Sequence, residues 1–184
     1  MFINISLFRE AMAKLIRAVA WRRHERPYTR KSKFRKKSFV RAVPQNKIVK
    51  FDMGNLSKDF QYLLTLKSKT DVQLRHNALE SARKTSNKVL ETKLGKLGYR
   101  MKIRTYPHHV LRNNPLAAGA GADRMSTGMK ASFGKSVGLA AQIKKNQVVM
   151  DVYVDKNGLA PAKLALQRAS KKFPSSFAIE EKKL

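Results

Sequence analysis

The chain of 184 residues contains no cysteine and few acids. The absence of cysteine excludes disulfides, thiolate nucleophiles and zinc sites with cysteine ligands. No stretch approaches 18 uninterrupted apolar residues, which excludes a transmembrane helix. The 12 carboxylates are dispersed, so they indicate neither a two-metal nuclease site nor a glycosidase pair.

Positive charge is what the chain has in excess. Lys and Arg number 40, which gives a formal net charge of +28. The hydrophobic fraction of 42% is sufficient for a folded core and argues against a wholly disordered basic protein. We therefore expect a soluble, intracellular protein whose natural partner is a polyanion.

The charge is densest in residues 1–43, which we interpret as a basic N-terminal extension. Between residues 22 and 41 only Glu25 opposes the cations, so this block repels itself and should not fold alone. Aromatic residues are interleaved with the cations, which suits a segment that orders against RNA, although a solvated basic tail is the alternative. The block's RNA-binding candidates are Arg22, Arg23, Arg26, Tyr28, Arg30, Lys31, Lys33, Arg35, Lys36, Lys37 and Arg41.

Residues 5–20 carry apolar side chains at steps of three and four, which predicts an amphipathic helix. Arg9 and Glu10 interrupt the apolar stretch, which argues against a signal peptide. The composition remains compatible with a transit peptide. A start at Met12 is a further alternative, and it would make residues 1–11 unimportant.

Residues 44–184 are predicted to form one α+β RNA-binding domain with two helices on a mixed sheet. Alternation and turn residues predict strands at 47–53, 60–66, 72–74, 99–106, 137–143 and 148–154, and a last edge strand at 177–180. Helical periodicity predicts helices at 77–94 and 161–172. Asn77 is the predicted N-cap and Gly95 the predicted C-terminal stop of the first helix, and Leu164, Leu166 and Ala169 are the predicted core residues of the second.

Residues 107–136 show almost no usable periodicity, and we interpret them as a long functional loop. The segment contains an Ala-Gly run from residue 117 to 122 and a single acid, Asp123. Asp123 beside Arg124 is most simply an internal tie that fixes the loop.

Short motifs that are typical of catalytic sites occur in this sequence, but they lack the spacing or the structural context that their chemistry requires. Gly134-Lys135-Ser136 resembles the end of a phosphate-binding loop, yet Gly128 is one residue too far away and a strand follows where a helix is needed. The nucleophile-elbow pattern around Ser136 lacks its helix for the same reason. His108 and His109 point to opposite sides of an extended segment, and no third metal ligand is suitably spaced. We predict no catalytic residue, metal site or cofactor.

Several blocks in this order resemble the universal L-sixteen large-subunit ribosomal protein family, in its archaeal and eukaryotic L-ten-e branch. The resemblance covers roughly residues 17–179 and departs from the family at residues 1–16 and 32–37. Its blocks are residues 27–30, 47–55, 75–80, 82–83, 103–112, 120–124, 128–129, 133–135, 165–166, 168–169 and 172–174.

The resemblance implies an α/β-hammerhead fold, a cytoplasmic place in the large ribosomal subunit and binding to its rRNA near the peptidyl transferase centre. It implies neighbouring ribosomal proteins and the tRNA acceptor arm as further partners, and no enzymatic activity. The domain's rRNA-binding candidates are Arg75, His76, Arg83, Arg100, Lys102 and Arg104. The loop candidates on the tRNA side are His108, His109, Arg112, Gly119, Gly121, Arg124, Lys130 and Lys135. A free-standing RNA- or DNA-binding module is the alternative that the basic composition alone would equally support.

Overall fold

The computed structural model describes residues 19–22, 24–25, 27–28, 34, 40, 42–114 and 128–184. Within these residues the helices are α1 (Val19–Arg22), α2 (His76–Leu94) and α3 (Leu159–Ser170), and two 3-10 turns occupy Met129–Ala131 and Lys156–Gly158. The strands are β1 (Asp52–Gly54), β2 (Tyr62–Ser68), β3 (Val72–Arg75), β4 (Tyr99–Ile103), β5 (His109–Asn113), β6 (Lys135–Ile143), β7 (Val148–Val154) and β8 (Phe177–Lys183). Most of the helix predicted at residues 5–20 lies outside the described residues.

The described strands form two sheets, and every strand pair is antiparallel. The larger sheet has the order β1-β4-β7-β2-β8, and the smaller has the order β3-β6-β5. The α+β class with two long helices is confirmed, although the strands divide between two sheets where one mixed sheet was expected. The turn between β6 and β7, with Asn146 at φ 64°, carries the chain from the smaller sheet to the larger.

The main core joins the larger sheet, the two long helices and part of the smaller sheet, which contributes Val72 and Ile143. Alternate residues of β4 and β7, such as Met101 and Val152, are fully buried because they share one face of the sheet. A second, smaller core cluster joins Val40 to Val110 and Leu139 on the smaller sheet, with Tyr28 packed against it. The N-terminal segment is therefore attached to β5 and β6 by apolar contacts.

The helix predicted at residues 77–94 is confirmed as α2, with Leu79 and Leu90 among its buried residues. Gly95 ends the helix at φ 71°, and its N–H donates to the Glu91 carbonyl at 3.1 Å. The predicted N-cap is wrong, because Arg75 occupies the cap position and the Asn77 side chain accepts instead from the N–H of Ala78 at 3.0 Å.

Helix α3 is close to the prediction but its buried stripe differs by one residue. Leu166 and Ala169 are fully buried as predicted, whereas Leu164 is 38% exposed. The stripe that faces α2 runs through Ala162, Ala165, Leu166 and Ala169. Leu164 lies about 100° or more from those positions around the helix, so it points away from the core.

Two predicted strands are shorter in the structure. The strand expected at residues 47–53 is reduced to β1, and the strand expected at residues 99–106 ends at Ile103. Gly54 has φ +87°, and a Cβ there would lie 2.1 Å from the Tyr99 carbonyl oxygen. The close approach of β1 to β4 therefore requires glycine at this position. Burial alternates along β4: Tyr99, Met101 and Ile103 are buried, and Arg100 and Lys102 are partly exposed on the other face.

The prediction of a long loop over residues 107–136 is wrong at both ends of that range. Residues His109–Asn113 form β5, which pairs with β6, and β6 begins at Lys135. Val110 and Leu111 are both buried, so this strand shows no alternation of apolar and polar residues that sequence analysis detects. Residues 115–127 lie outside the described part of the chain.

Candidate nucleic-acid interface

Three side chains meet where β5 ends and β6 begins, and we call them the stacking cluster: Tyr28, Arg112 and Phe133. The Arg112 guanidinium lies 4.2 Å from the centre of the Phe133 ring and 4.6 Å from the centre of the Tyr28 ring. The two rings meet edge to face at 5.3 Å. The cluster therefore holds an exposed cation against two aromatic rings.

The backbone brings the two ends of the loop together at this cluster. Asn113 pairs with Lys135 in the sheet register, and Gly134 lies against Asn113. Gly134 has φ +76°, and a Cβ there would be 2.8 Å from the Asn113 carbonyl carbon, so only glycine fits without a shift. The close approach places exposed Lys135 at the paired strand ends, and exposed Lys130 lies in the 3-10 turn that precedes β6.

Two predicted RNA contacts, His76 and His109, are buried and bind the protein's own backbone. His109 Nδ1 accepts the N–H of Tyr28 at 2.7 Å, and His76 Nδ1 accepts the N–H of Lys47 at 3.3 Å. Burial is the main cause that lowers the pKa of both imidazoles, and nearby cations lower the pKa of each further. In their neutral form, His109 therefore fastens the N-terminal segment to the domain, and His76 holds Lys47 at the start of the domain.

His108 points the other way and lies on a shallow surface pocket. The pocket has a volume of about 390 Å³ and is lined by residues from the N-terminal segment, from β6 and from the turn after β4. Tyr106 and His108 are exposed there and Tyr106 also packs on Phe51, with ring centres 5.7 Å apart. Exposed rings of this kind suit stacking on bases.

Two of the predicted rRNA contacts are engaged in internal ion pairs. The guanidinium of Arg83 makes two bonds to Glu80, at 2.7 and 2.8 Å. The Arg104 guanidinium binds the carboxylate of Asp151, which is only 2% exposed, and donates to the Tyr153 hydroxyl at 3.3 Å. These hydrogen bonds raise the pKa of both arginines, and their charge is partly neutralised inside the protein.

The remaining candidates on described residues are dispersed. Arg22 lies over the Trp21 ring at 5.4 Å, while Arg100 stacks on Tyr153 at 5.5 Å and shares a face of β4 with Lys102. Arg75 is the residue before α2. The candidates outside the described residues are Arg23, Arg26, Arg30, Lys31, Lys33, Arg35, Lys36, Lys37, Arg41, Gly119, Gly121 and Arg124, as is the predicted tie between Asp123 and Arg124.

Phe133 was not among the binding residues predicted from the sequence. Its signals were an aromatic side chain beside Gly134 and Lys135 and a place in the resemblance block at residues 133–135; neither indicated the contact with Arg112 that the fold creates. The alternative of a phosphate-binding loop finds no support, because Ser136 lies within β6 and not at the start of a helix.

The described residues show neither a metal-binding group nor a membrane-spanning helix. They contain no group of three or more metal-ligating side chains placed to hold an ion. None of their helices has the length and apolar character that crossing a membrane requires.

Comparison with known proteins places the chain in a family. The family profile described as ribosomal protein L16p/L10e matches residues 26–180. The chain belongs to the ribosomal protein L16p/L10e family. Its resemblance to the L-sixteen family, read from the sequence blocks, is thereby confirmed.

Three archaeal relatives of this L16p/L10e chain carry the name large ribosomal subunit protein uL16. The protein of Methanococcus maripaludis is 49% identical over 154 residues, which are 84% of this chain and 86% of the relative. That of Archaeoglobus fulgidus is 46% identical over 159 residues, or 86% and 88% of the two chains. That of Staphylothermus marinus is 47% identical over 148 residues, or 80% and 82%.

Proposed function

We propose that this L16p/L10e protein is a structural constituent of the large ribosomal subunit, at work on cytoplasmic ribosomes. Family membership over residues 26–180 carries this proposal, together with relatives named as large-subunit proteins. The family is one of structural proteins, and we propose no catalytic role for this chain.

The finer part of the proposal is that the protein binds large-subunit rRNA near the peptidyl transferase centre. The formal net charge of +28 supports a polyanionic partner, because phosphate neutralisation dominates the affinity of proteins for nucleic acids. The exposed cations at the ends of β5 and β6 support contact along that side of the domain. Neighbouring ribosomal proteins complete its surroundings.

We further propose that the segment between β5 and β6 helps to position the acceptor end of tRNA. The support is geometrical: the two strand ends are held together by Gly134 and by the stacking cluster, so the intervening residues leave from a fixed point. A loop on a rigid base suits positioning. Lys130 and Lys135 add charge for a phosphate backbone at that point.

Fractionation of ribosomes tests the coarse proposal. The native protein should travel with the large subunit through a sucrose gradient in moderate salt, identified by mass spectrometry of that peak. A free-standing RNA- or DNA-binding module would instead stay near the top of the gradient. Recovery of the protein only at the top would refute the ribosomal assignment.

Removal of residues 116–121 tests the tRNA proposal. The deletion leaves Asn113 and Lys135 paired, so the thermal unfolding midpoint of the free protein should change little. Subunits assembled with the shortened protein should bind tRNA or synthesise peptide less well than subunits with the full chain. If the shortened protein unfolds, the segment belongs to the fold; if it supports full activity, the tRNA proposal fails.

A further inference from the structure

The stacking cluster leaves one large aromatic ring open to solvent. Phe133 is 56% exposed, although Tyr28 and Arg112 pack against it. A single exposed apolar side chain is ordinary on a protein surface. Phe133 differs because the neighbouring guanidinium is itself exposed, so a planar cation and an aromatic ring present adjoining surfaces.

The fold fixes the position of the Phe133 ring through its neighbours Tyr28 and Gly134. The backbone of Tyr28 makes two hydrogen bonds. Its N–H donates to the His109 side chain at Nδ1, and its carbonyl oxygen accepts the N–H of Val110 at 3.1 Å. Phe133 precedes Gly134, whose close contact with Asn113 admits no side chain. A ring held in this way loses little conformational freedom when a ligand stacks on it.

The charges around the ring favour a nucleic acid. Lys130 and Lys135 are exposed and lie three residues before and two residues after Phe133 in the chain, and residues 106–114 and 128–150 contain no acid. Among the described residues, Glu25 raises the pKa of His109 against the effects of burial, His108 and Arg112. A basic protein segment would be repelled here, whereas a phosphate backbone would be attracted.

We propose that Phe133 and Arg112 form a stacking site for an unpaired nucleobase, flanked by lysines that take the adjoining phosphates. Proteins hold unstacked bases in this way, on aromatic rings and guanidinium planes. The inference rests on the proposed function, since it requires an RNA partner. It adds that the RNA presents an extruded or single-stranded base at the junction of β5 and β6.

Two single-stranded probes of equal charge test the site. One is a ten-nucleotide oligoadenosine RNA, and the other is the same ribose-phosphate decamer without bases. The full-length protein should bind the base-containing decamer about 5- to 150-fold more tightly, as measured by fluorescence anisotropy. Phe133→Leu should remove most of that preference and keep the affinity for the abasic decamer, whereas Phe133→Tyr should preserve both.

Leu56→Ala is the matched control, because Leu56 is also 56% exposed and lies in the turn after β1. It should leave both affinities unchanged.

A second readout uses tryptophan fluorescence, because the chain contains a single tryptophan, Trp21. The double variant Trp21→Phe with Phe133→Trp moves the indole to the proposed site. The base-containing decamer should quench its fluorescence and the abasic decamer should not.

The outcomes separate this inference from the proposed function. If the protein binds both decamers equally, or if Phe133→Leu weakens both by the same factor, the stacking site is refuted while RNA binding stands. If neither decamer binds, the RNA partner itself is in error and the stacking site fails with it.

Discussion

At the scale of single residues, two buried histidines hold backbone in place: His109 binds Tyr28 of the N-terminal segment, and His76 binds Lys47 at the start of the domain. His76 and His109 each accept a backbone N–H through Nδ1, so each must be neutral with its proton on Nε2. Burial lowers the pKa of both below the ordinary value of 6.5. Lys47 and Arg75 act on His76 in the same direction, as do His108 and Arg112 on His109, while Glu25 opposes them.

Unfolding of the protein should therefore depend on pH. Below pH 6.5 the unfolded chain takes up protons that the folded histidines resist, so the free energy of unfolding falls as the pH drops from 6.5 towards the lowered pKa values. Above pH 6.5 this contribution is complete. Urea unfolding at pH 7.5 and pH 5.5 measures the change.

The variant His109→Asn identifies one source of that dependence, because its amide oxygen takes the place of Nδ1 without titrating. It should show a smaller loss of stability between the two pH values than the native protein. His109→Ala should lose about 1–3 kcal/mol at pH 7.5, since the Tyr28 N–H loses its acceptor. An unchanged pH dependence in His109→Asn would show that other groups cause it.

At the scale of elements, the two long helices meet through small side chains. Ala82 on α2 and Ala165 on α3 are fully buried, and the Ser86 hydroxyl donates to the Ala165 carbonyl at 3.2 Å. Ala165→Leu should overpack this contact and cost about 1–3 kcal/mol, measured by urea unfolding. Ala160→Leu, on the exposed side of α3, is the control and should stay within about 0.5 kcal/mol of the native protein. Equal effects would mean that the helix interface adapts.

The elements also show what the sequence could and could not predict. Helix α2 was predictable because 19 residues carry one apolar stripe and a glycine stop. Strand β5 was not, because its buried Val110 and Leu111 are adjacent and its partner in β6 lies more than 20 residues away. In the candidate interface, the cations could be predicted from the sequence. The contact between Phe133 and Arg112 could not, because it depends on that long-range pairing.

At the scale of the whole molecule, the charge of +28 determines how RNA binding responds to salt. If about eight phosphates are neutralised, the affinity for an rRNA fragment should fall by about 10³–10⁵ between 50 and 200 mM salt. Filter binding or anisotropy over that range measures the slope. A flat response would show that charge is not the main contribution.

Comparison of single arginines and lysines shows which cations produce that slope. Lys130 is exposed in the 3-10 turn that precedes β6, so Lys130→Gln should reduce the slope of log affinity against log salt by about one. Arg83 is matched in charge, but its guanidinium is held by two bonds to Glu80 and is mostly buried. Arg83→Gln should therefore leave the slope nearly unchanged. A larger effect from Arg83 than from Lys130 would place the RNA against helix α2 and away from the junction of β5 and β6.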